Sequence, residues 1–343
     1  MKKLTLIMPA WNAAPYIERS VRSVLAQSHR ELRLMVVNDG STDETGAILE
    51  RLAAEDARLV PMTVPNGGPA KARNLALDRM DADTDYVMFV DADDLLLPEA
   101  AEKAVAAAEA GADLVLFGFS IMGLDGTQRD YREPTQRLTR QELGSELGRL
   151  YRANLLNQVW AKLFRADTIR EERIRFPDYR WGEDRFFMFD CLERAQSVAV
   201  LSDCLYRYVM HEGESLISRY YDKKFAVCLA IDRRMEEICR RLGVEDETDF
   251  RTMFAKSVFS CLTTLYAPSC PLTAAQKREA VKRIAADQRV RERCRDTAGG
   301  LPVRTLCAVL RSGCPGLILA AFRTVAWVGE TAPNLFTSLK HMK

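Results

Sequence analysis

No cysteine precedes Cys191, although the 343-residue chain has nine, and only three histidines occur. None of the nine falls in a CxxC pair and their gaps are irregular. Neither a zinc site nor a small disulfide framework is therefore expected, and buried thiols of a reducing cytosol are the plainer reading. An excess of charge is lacking too: 49 Lys+Arg against 48 Asp+Glu leave a formal +1. Such a balance offers no global field for nucleic acid, so a phosphate-bearing ligand must be held locally. No uninterrupted apolar run reaches the roughly 18 residues of a spanning helix; the nearest approach, Leu317–Val328, is broken by Arg323. Lys2 and Lys3 precede an apolar stretch that stops at Pro9, with Asn12, Glu18 and Arg19 close behind. A first strand explains this better than a signal peptide. What remains is ordinary globular composition, 48% hydrophobic and 28% charged, in a chain long enough for about two domains.

The first third alternates strand-like and helix-like segments. Apolar runs at Leu4–Met8, Leu32–Val37, Leu59–Val64, Tyr86–Val90 and Leu114–Phe119 predict five strands. Between them lie helical faces: Ile17, Val21, Val24 and Leu25; Ile48, Leu49 and Leu52 behind a cap at Ser41 or Thr42; Ala70–Met80; and Pro98–Ala110. Continuous apolar strands separated by helices predict a mostly parallel sheet covered on both faces, an α/β nucleotide-binding architecture. Ser120–Pro134 reads as a hairpin or loop, Thr139–Tyr151 and Trp181–Leu192 as helices, and Leu205–Val209 as a late strand. Beyond about Tyr221 only helices are expected. Cys228, Ile231, Met235, Ile238 and Leu242 keep helical spacing up to Gly243, and Thr273 with Gln276 forms a capping-box pattern. The division expected is 1–220 and 221–343.

Ligands of open parallel sheets bind beyond the carboxyl ends of the strands, and the unusual residues cluster there. Pro9-Ala10-Trp11-Asn12 ends the first strand, Asn38-Asp39-Gly40-Ser41-Thr42-Asp43 the second, and Asp91-Ala92-Asp93-Asp94 the fourth. Asn66-Gly67-Gly68 precedes the third helix, which carries Lys71, Arg73 and Asn74. Taken singly these are turns and caps, Asp94 before Pro98 included. Taken together they point to a nucleoside diphosphate. Asp91 and Asp93 can face one Mg²⁺ or Mn²⁺, which prefers one or two carboxylates plus phosphate oxygens and neutralises a departing diphosphate.

This ordered set resembles the family 2 glycosyltransferases, GT-A-fold enzymes that use nucleotide sugars. The resemblance covers about residues 4–215 and continues in Val159–Phe164, Trp181–Phe186, Tyr206-Arg207-Tyr208 and Ser215–Ser218. It implies that Asp39 holds the nucleobase, typically uracil, near Pro9, Trp11 and Asn12, with Asn66, Gly67, Lys71 and Arg73 beside the nucleotide. Asp91 would contact the ribose and metal region, and Asp93 would ligate the metal. Arg73 would also pair with Asp91 or Asp93. The second carboxylate of Glu183-Asp184 would take the acceptor proton, with Glu183 orienting it or touching the acceptor; an acidic helix N-terminus is the simpler account, and its dipole would keep Asp184 ionised. His211 is either a late metal or diphosphate ligand or an exposed loop histidine. Lys162 and Arg207 are diphosphate or acceptor ligands or surface charges, and Trp160 and Trp181 are sugar platforms or core.

The sequence thus predicts a metal-dependent, inverting transferase that adds one sugar from a UDP-sugar to a glycan or lipid-linked acceptor of the cell surface. It would work in the cytoplasm, with the apolar, basic tail from Leu317 either on a membrane surface or packed on the protein. Processive synthesis is not expected, because Pro177 stands where the Gln of the processive Q-x-x-R-W signature would be. A catalytically silent nucleotide-sugar-binding subunit and a sugar nucleotidyltransferase are the alternatives. The missing GxGxxG after the first strand argues against a dinucleotide dehydrogenase.

Overall fold

A computed structural model describes residues 2–211, 218–295, 297 and 299–331. The chain divides into two compact units, Met1–Glu146 with Ala153–Glu212, and Leu147–Arg152 with Gly213–Lys343.

In chain order the first unit contains β1 (Leu4–Ala10), α1 (Ile17–Leu25), β2 (Leu32–Asp39), α2 (Thr45–Glu55), β3 (Leu59–Val64), α3 (Pro69–Arg79), β4 (Tyr86–Phe89), β5 (Leu95–Leu96) and α4 (Ala100–Glu109). There follow β6 (Leu114–Met122), β7 (Gln128–Tyr131), β8 (Gln136–Thr139), α5 (Arg140–Arg152), β9 (Lys162–Arg165), α6 (Ala166–Glu171), α7 (Glu183–Arg194) and β10 (Ser197–Val209). The last residues of α5, Leu147–Arg152, group with the second unit. The sheet runs β3-β2-β1-β4-β9-β6-β10-β5, with β7 on β6 and β8 on β10. β1 pairs in parallel with β2 and β4, β2 with β3, and β6 with β10. The apolar runs of β1, β2, β4 and β6 are almost wholly buried, as strands covered on both faces must be.

The long registers are parallel, as expected, and short antiparallel strands make the sheet mixed. The short strand β9 lies antiparallel between β4 and β6. Four residues opening on a lysine carry no readable periodicity, so β9 was invisible to pattern. Ala161 before it adopts φ 57, a left-handed conformation unusual for a residue with a Cβ. The late strand is also longer than expected, because β10 slips register between Leu201 and Tyr206, a β-bulge that interrupts its alternation. α4 begins at Ala100 rather than Pro98, because β5 holds the chain extended against β10 and the Leu97 amide donates to the Leu205 carbonyl at 2.9 Å. β6 and β7 form the hairpin read within Ser120–Pro134.

Four phenylalanines tie α7 to the sheet. Phe187 stacks on Phe176 with centroids 4.2 Å apart and meets Phe89 and Phe164 edge-on at 5.3 and 5.5 Å. Offset and edge-to-face pairs add to area burial, so this cluster fixes the start of α7 above the ends of β4 and β9.

The second unit is helical: α8 (Lys224–Arg241), α9 (Thr248–Thr263), a 3₁₀ turn (Thr264–Tyr266), α10 (Ala274–Ala286), α11 (Gln288–Arg293), α12 (Leu301–Arg311) and α13 (Pro315–Thr331). Asp232 of α8 is buried against Arg289 and Arg293 at 2.7 and 3.2 Å. Thr273 and Gln276 form a reciprocal capping box at α10, the kind of cap worth about 1 kcal/mol. All nine cysteines are free; Cys204 and Cys270 are half-buried, Cys314 is exposed, and the others are buried.

Phe187→Ala empties the centre of the aromatic cluster and is expected to lower unfolding free energy by about 3–5 kcal/mol in urea titrations. A loss under about 1 kcal/mol would show that the cluster does not anchor α7.

Candidate active site

Three strand-end loops are laced together by short polar side chains. The Asn12 amide donates to Ser41 Oγ at 2.9 Å, and Asn12 Oδ1 accepts from the Thr42 amide at 2.8 Å. Asn12 itself is left-handed, φ 47, which asparagine tolerates better than most residues. With Ser41 and Thr42 engaged in this way, neither caps α2. Asp43 takes the Thr45 amide and hydroxyl instead, at 3.1 and 2.6 Å. Asp39 is buried at the end of β2, its two carboxylate oxygens accepting from the Gly67 and Gly68 amides at 2.7 Å each. Asn66 Nδ2 donates to the Asp39 carbonyl at 2.9 Å. Gly40 sits at φ 68, and a Cβ there would lie 2.6 Å from the Asn66 nitrogen. Only glycine lets these two loops approach so closely.

Arg73 is the hub. It is buried on α3 and faces three carboxylates from two other segments. Nη2 donates to Asp91 Oδ1 at 2.9 Å, and Nη1 donates to Asp184 Oδ1 at 2.9 Å and to Glu183 Oε1 at 3.4 Å. Its guanidinium lies over the Phe176 ring, 5.3 Å from the centroid. Of the two pairings expected, the one formed is with Asp91. Burial opposes the Arg73 charge, but Asp184, Asp91 and Glu183 outweigh it and raise its pKa. Gly182, left-handed at φ 86, opens α7 so that Glu183 and Asp184 occupy its first turn. Burial and then Asp184 push Glu183 up to about 7, against Arg73. Burial also raises Asp184, with Arg73 opposing.

On the other side of Asp91, Asp93 and His211 face each other. His211 Nε2 is buried 3.7 Å from Asp93 Oδ2 and has no hydrogen-bond partner. Its ring stacks on Tyr16 with centroids 3.9 Å apart, so it is held rather than loose as an exposed histidine would be. Burial and Asp91 raise the Asp93 pKa. Among the described residues no three His, Cys, Asp or Glu side chains converge on one point. The donor set still fits a divalent cation that arrives with a diphosphate. A buried imidazole nitrogen without a hydrogen bond stands 3.7 Å from the Asp93 carboxylate, and phosphate oxygens would complete the shell.

Packing decides between several of the alternatives the sequence left open. Lys162 is not a surface charge. It is fully buried, donates to the Trp160 carbonyl at 3.1 Å, and burial lowers its pKa to about 7 against the pull of Asp184. Trp160 is half-buried, stacked on Tyr206 at 4.7 Å and edge-on to Phe119 at 4.8 Å. Trp181 lies half-buried beneath Arg185. Asp94 caps nothing: fully buried, it accepts from the Tyr206 hydroxyl at 2.7 Å and the Val209 amide at 2.9 Å. Lys71 reaches toward Asp178 at 3.5 Å on the exposed side of α3. Trp11 is 54% exposed beside the laced loops, and Pro9 pairs with Val37 within β1. Tyr16 and Phe176 were missed, because an aromatic ring beside a histidine or an arginine has no signature in one dimension. Ser215–Ile217, Lys340 and Lys343 lie outside the described residues.

A nucleotide-type α/β sheet, an acidic turn after β4 and a second acidic pair bridged to it by a buried arginine define a glycosyltransferase of the GT-A class. Residues 5–168 match the family described as glycosyl transferase family 2. The chain is 32% identical over 209 residues to TuaG of Bacillus subtilis, a glycosyltransferase provisionally assigned to teichuronic acid biosynthesis, covering 60% of this chain and 78% of TuaG. It is 30% identical to the uncharacterized glycosyltransferase EpsJ of the same organism, over 60% of each chain. The S. aureus TarS 1–349 structure in complex with UDP-GlcNAc superposes with TM-score 0.66 at 22% identity, covering 96% of this chain and 91% of that one. The chain belongs to glycosyltransferase family 2. Its match spans under two thirds of several relatives' own length, 60% of EpsJ and 34% of GlyA from Streptococcus pneumoniae.

Two outcomes follow from the hub. Arg73→Met strips three carboxylates of their cation and is expected to cost about 3–5 kcal/mol at pH 8. The cost shrinks toward pH 5.5, because the stranded carboxylates then take up protons. Glu183 has a folded pKa of about 7 against an ordinary 4.5, so the native state holds an extra proton between these values. Wild-type stability therefore falls as pH rises through that window. Glu183→Gln removes the slope, and its stability relative to wild type should rise by up to ~3 kcal/mol from pH 4.5 to 8 in denaturant titrations. A difference that does not change with pH would contradict the buried-proton assignment.

Proposed function

We propose that the protein transfers a single sugar, with inversion, from a UDP-sugar to a hydroxyl of a glycan or lipid-linked acceptor in cell-surface polysaccharide synthesis. The observation that carries this reading is the Arg73 bridge. It ties Asp184, the base candidate, to Asp91 on the donor side, so acceptor and donor groups share one rigid frame. The acceptor oxygen attacks the anomeric carbon, and the bond from that carbon to the diphosphate oxygen breaks, its electron pair leaving with UDP. The acceptor proton passes to Asp184. Burial brings the Asp184 pKa nearer neutrality, which suits a base that must accept a proton and later release it. Glu183, sharing the Arg73 guanidinium, orients Asp184.

Asp39, with Pro9, Trp11, Asn12, Asn66 and Gly67, would hold the nucleoside, and exposed Trp11 offers a face for the base. Lys71 and Arg73 supply positive charge along α3. Asp91, Asp93 and His211 would hold Mn²⁺ or Mg²⁺, which when bound neutralises charge on the leaving diphosphate. The Mn²⁺ and GDP-mannose complex of the Pyrobaculum calidifontis mannosyltransferase PcManGT supports the expectation of a cation, as a fold-level likeness with TM-score 0.52 and 15% identity. The UDP-GlcNAc and UDP complexes of TarS support the choice of uridine.

We assign this chemistry to residues 1–220 and acceptor presentation to 221–343. No described helix is long and apolar enough to cross a membrane. α12 and α13 expose Leu301, Leu317 and Trp327 together with Arg304, Arg311 and Arg323, and no acidic residue occurs between 299 and 329. That combination suits the cytoplasmic surface of an anionic bilayer.

Incubation with a nucleotide-sugar panel, Mn²⁺ and candidate acceptors should release UDP from one donor. Asp184→Asn is expected to lower kcat about 10²–10⁴-fold with the donor KM little changed. Chelation should abolish turnover and added Mn²⁺ restore it. Normal transfer by Asp184→Asn would eliminate the base assignment, and turnover indifferent to chelator would eliminate the cation.

A further inference from the structure

The carboxylate turn after β4 is held from behind by a strand far away in sequence. Tyr206 of β10 is fully buried, and its hydroxyl has two partners within that turn: it donates to Asp94 Oδ2 at 2.7 Å and accepts from the Asp91 amide at 3.1 Å. Asp94 is fully buried too, and its other oxygen accepts from the Val209 amide at 2.9 Å. The turn closes on itself through the Asp94 amide and the Asp91 carbonyl at 3.2 Å. Trp160 stacks on the Tyr206 ring nearly parallel, at 8°, and fixes where the hydroxyl points. The register slip in β10 ends at Tyr206, the residue paired with both Leu96 and Phe119. Both ends of the Asp91–Asp94 turn are thus pinned to β10 at Tyr206 and Val209, and Val209 stands two residues before His211.

We infer that Tyr206 and Asp94 form a positioning clamp that sets the Asp91–Asp93 turn at a fixed distance from His211 without touching the donor. The inference rests on the reading of Asp91, Asp93 and His211 as the cation and diphosphate end of the site. The physical argument is one of slack. Two of these ligand groups sit on a turn and the third lies just beyond a strand end, and such segments move unless cross-linked. Ligand groups must be held to within about half an ångström to act together. The clamp supplies buried hydrogen bonds from the strand that carries His211 to the turn that carries the carboxylates. Both side chains are fully buried, so no water competes for these bonds.

Tyr206→Phe keeps the ring and its stacking but removes the hydroxyl, leaving the Asp91 amide and one Asp94 oxygen without that partner. Asp94→Asn keeps the shape and weakens the same contacts, and serves as a second variant should the first fold poorly. Thr5→Val is the matched control. It breaks a buried hydroxyl pair, Thr5 with Thr84 at 2.9 Å, at the opposite end of β1. Mn²⁺ uptake in the presence of UDP, followed by the loss of free-ion EPR signal, gives both Kd and the number of sites, and calorimetric UDP titration repeats the measurement. Loss of folded protein lowers the number of sites, whereas loss of positioning weakens the Kd.

The clamp predicts a Kd roughly tenfold weaker in Tyr206→Phe and Asp94→Asn at nearly full site number, with Thr5→Val unchanged. A wild-type Kd in both clamp variants, while Asp93→Asn abolishes uptake, overturns the clamp alone. Equal weakening by Thr5→Val also overturns it, since the effect would then reflect general destabilisation. No Mn²⁺ uptake by the wild type, or full uptake by Asp93→Asn, overturns the cation reading and the clamp with it.

Discussion

A guanidinium sealed inside the protein against three carboxylates governs how the catalytic half is built. Arg73 comes from α3, Asp91 from the turn after β4, and Glu183 and Asp184 from the first turn of α7. Each charge alone would be costly to bury, and removing any one strands the others. Strand order, the aromatic cluster beneath α7 and the left-handed Gly182 can all be read as conditions for bringing these four groups within 3.4 Å contacts. The same constraint explains the raised pKa values of Glu183 and Asp184. Burial is the larger cause for both, and Arg73 opposes it in each.

Around that hub, each loop at the ligand end of the sheet is fixed by a neighbour rather than by its own sequence. Asn12 holds the Ser41–Thr42 loop, Asp39 holds the Gly67–Gly68 loop, and Tyr206 holds the Asp91–Asp94 turn. The site is therefore largely organised before a donor arrives, and little binding energy is lost to ordering the loops. His211 shows the same economy: Tyr16 fixes its ring, while its Nε2 accepts or donates no hydrogen bond and faces Asp93 at 3.7 Å.

Four apolar runs, β1, β2, β4 and β6, were legible because burial on both faces leaves an unbroken hydrophobic stretch, a local signal, and β3 read the same way although it is only half-buried. The acidic and glycine-rich strand ends were legible for a similar reason, since short polar motifs directly after buried strands are unusual. β9 was not, being four residues long and marked only by its partners on either side. Nor was the extension of β10, where a bulge breaks the alternation that would reveal a strand. Lys162 stayed open between a ligand of the diphosphate or acceptor and a surface charge, and only packing shows it fully enclosed. Asp94 read as a cap because an acid ahead of a proline often is one, and its true partners lie more than a hundred residues away.

Composition and motif order by themselves determined the α/β class and the candidate residues from Pro9 to His211. They did so because those properties depend on neighbours close in the chain. Tertiary structure alone decided which of those residues meet. It chose Asp91 rather than Asp93 for Arg73, set Asp93 beside His211, and turned Asp94 inward to Tyr206. The Arg73 pairings reach across 18 residues of chain to Asp91 and 111 to Asp184. A sequence records which groups are available, and only the packed sheet fixes which of them share the low-dielectric space where a few ångströms decide partner and protonation.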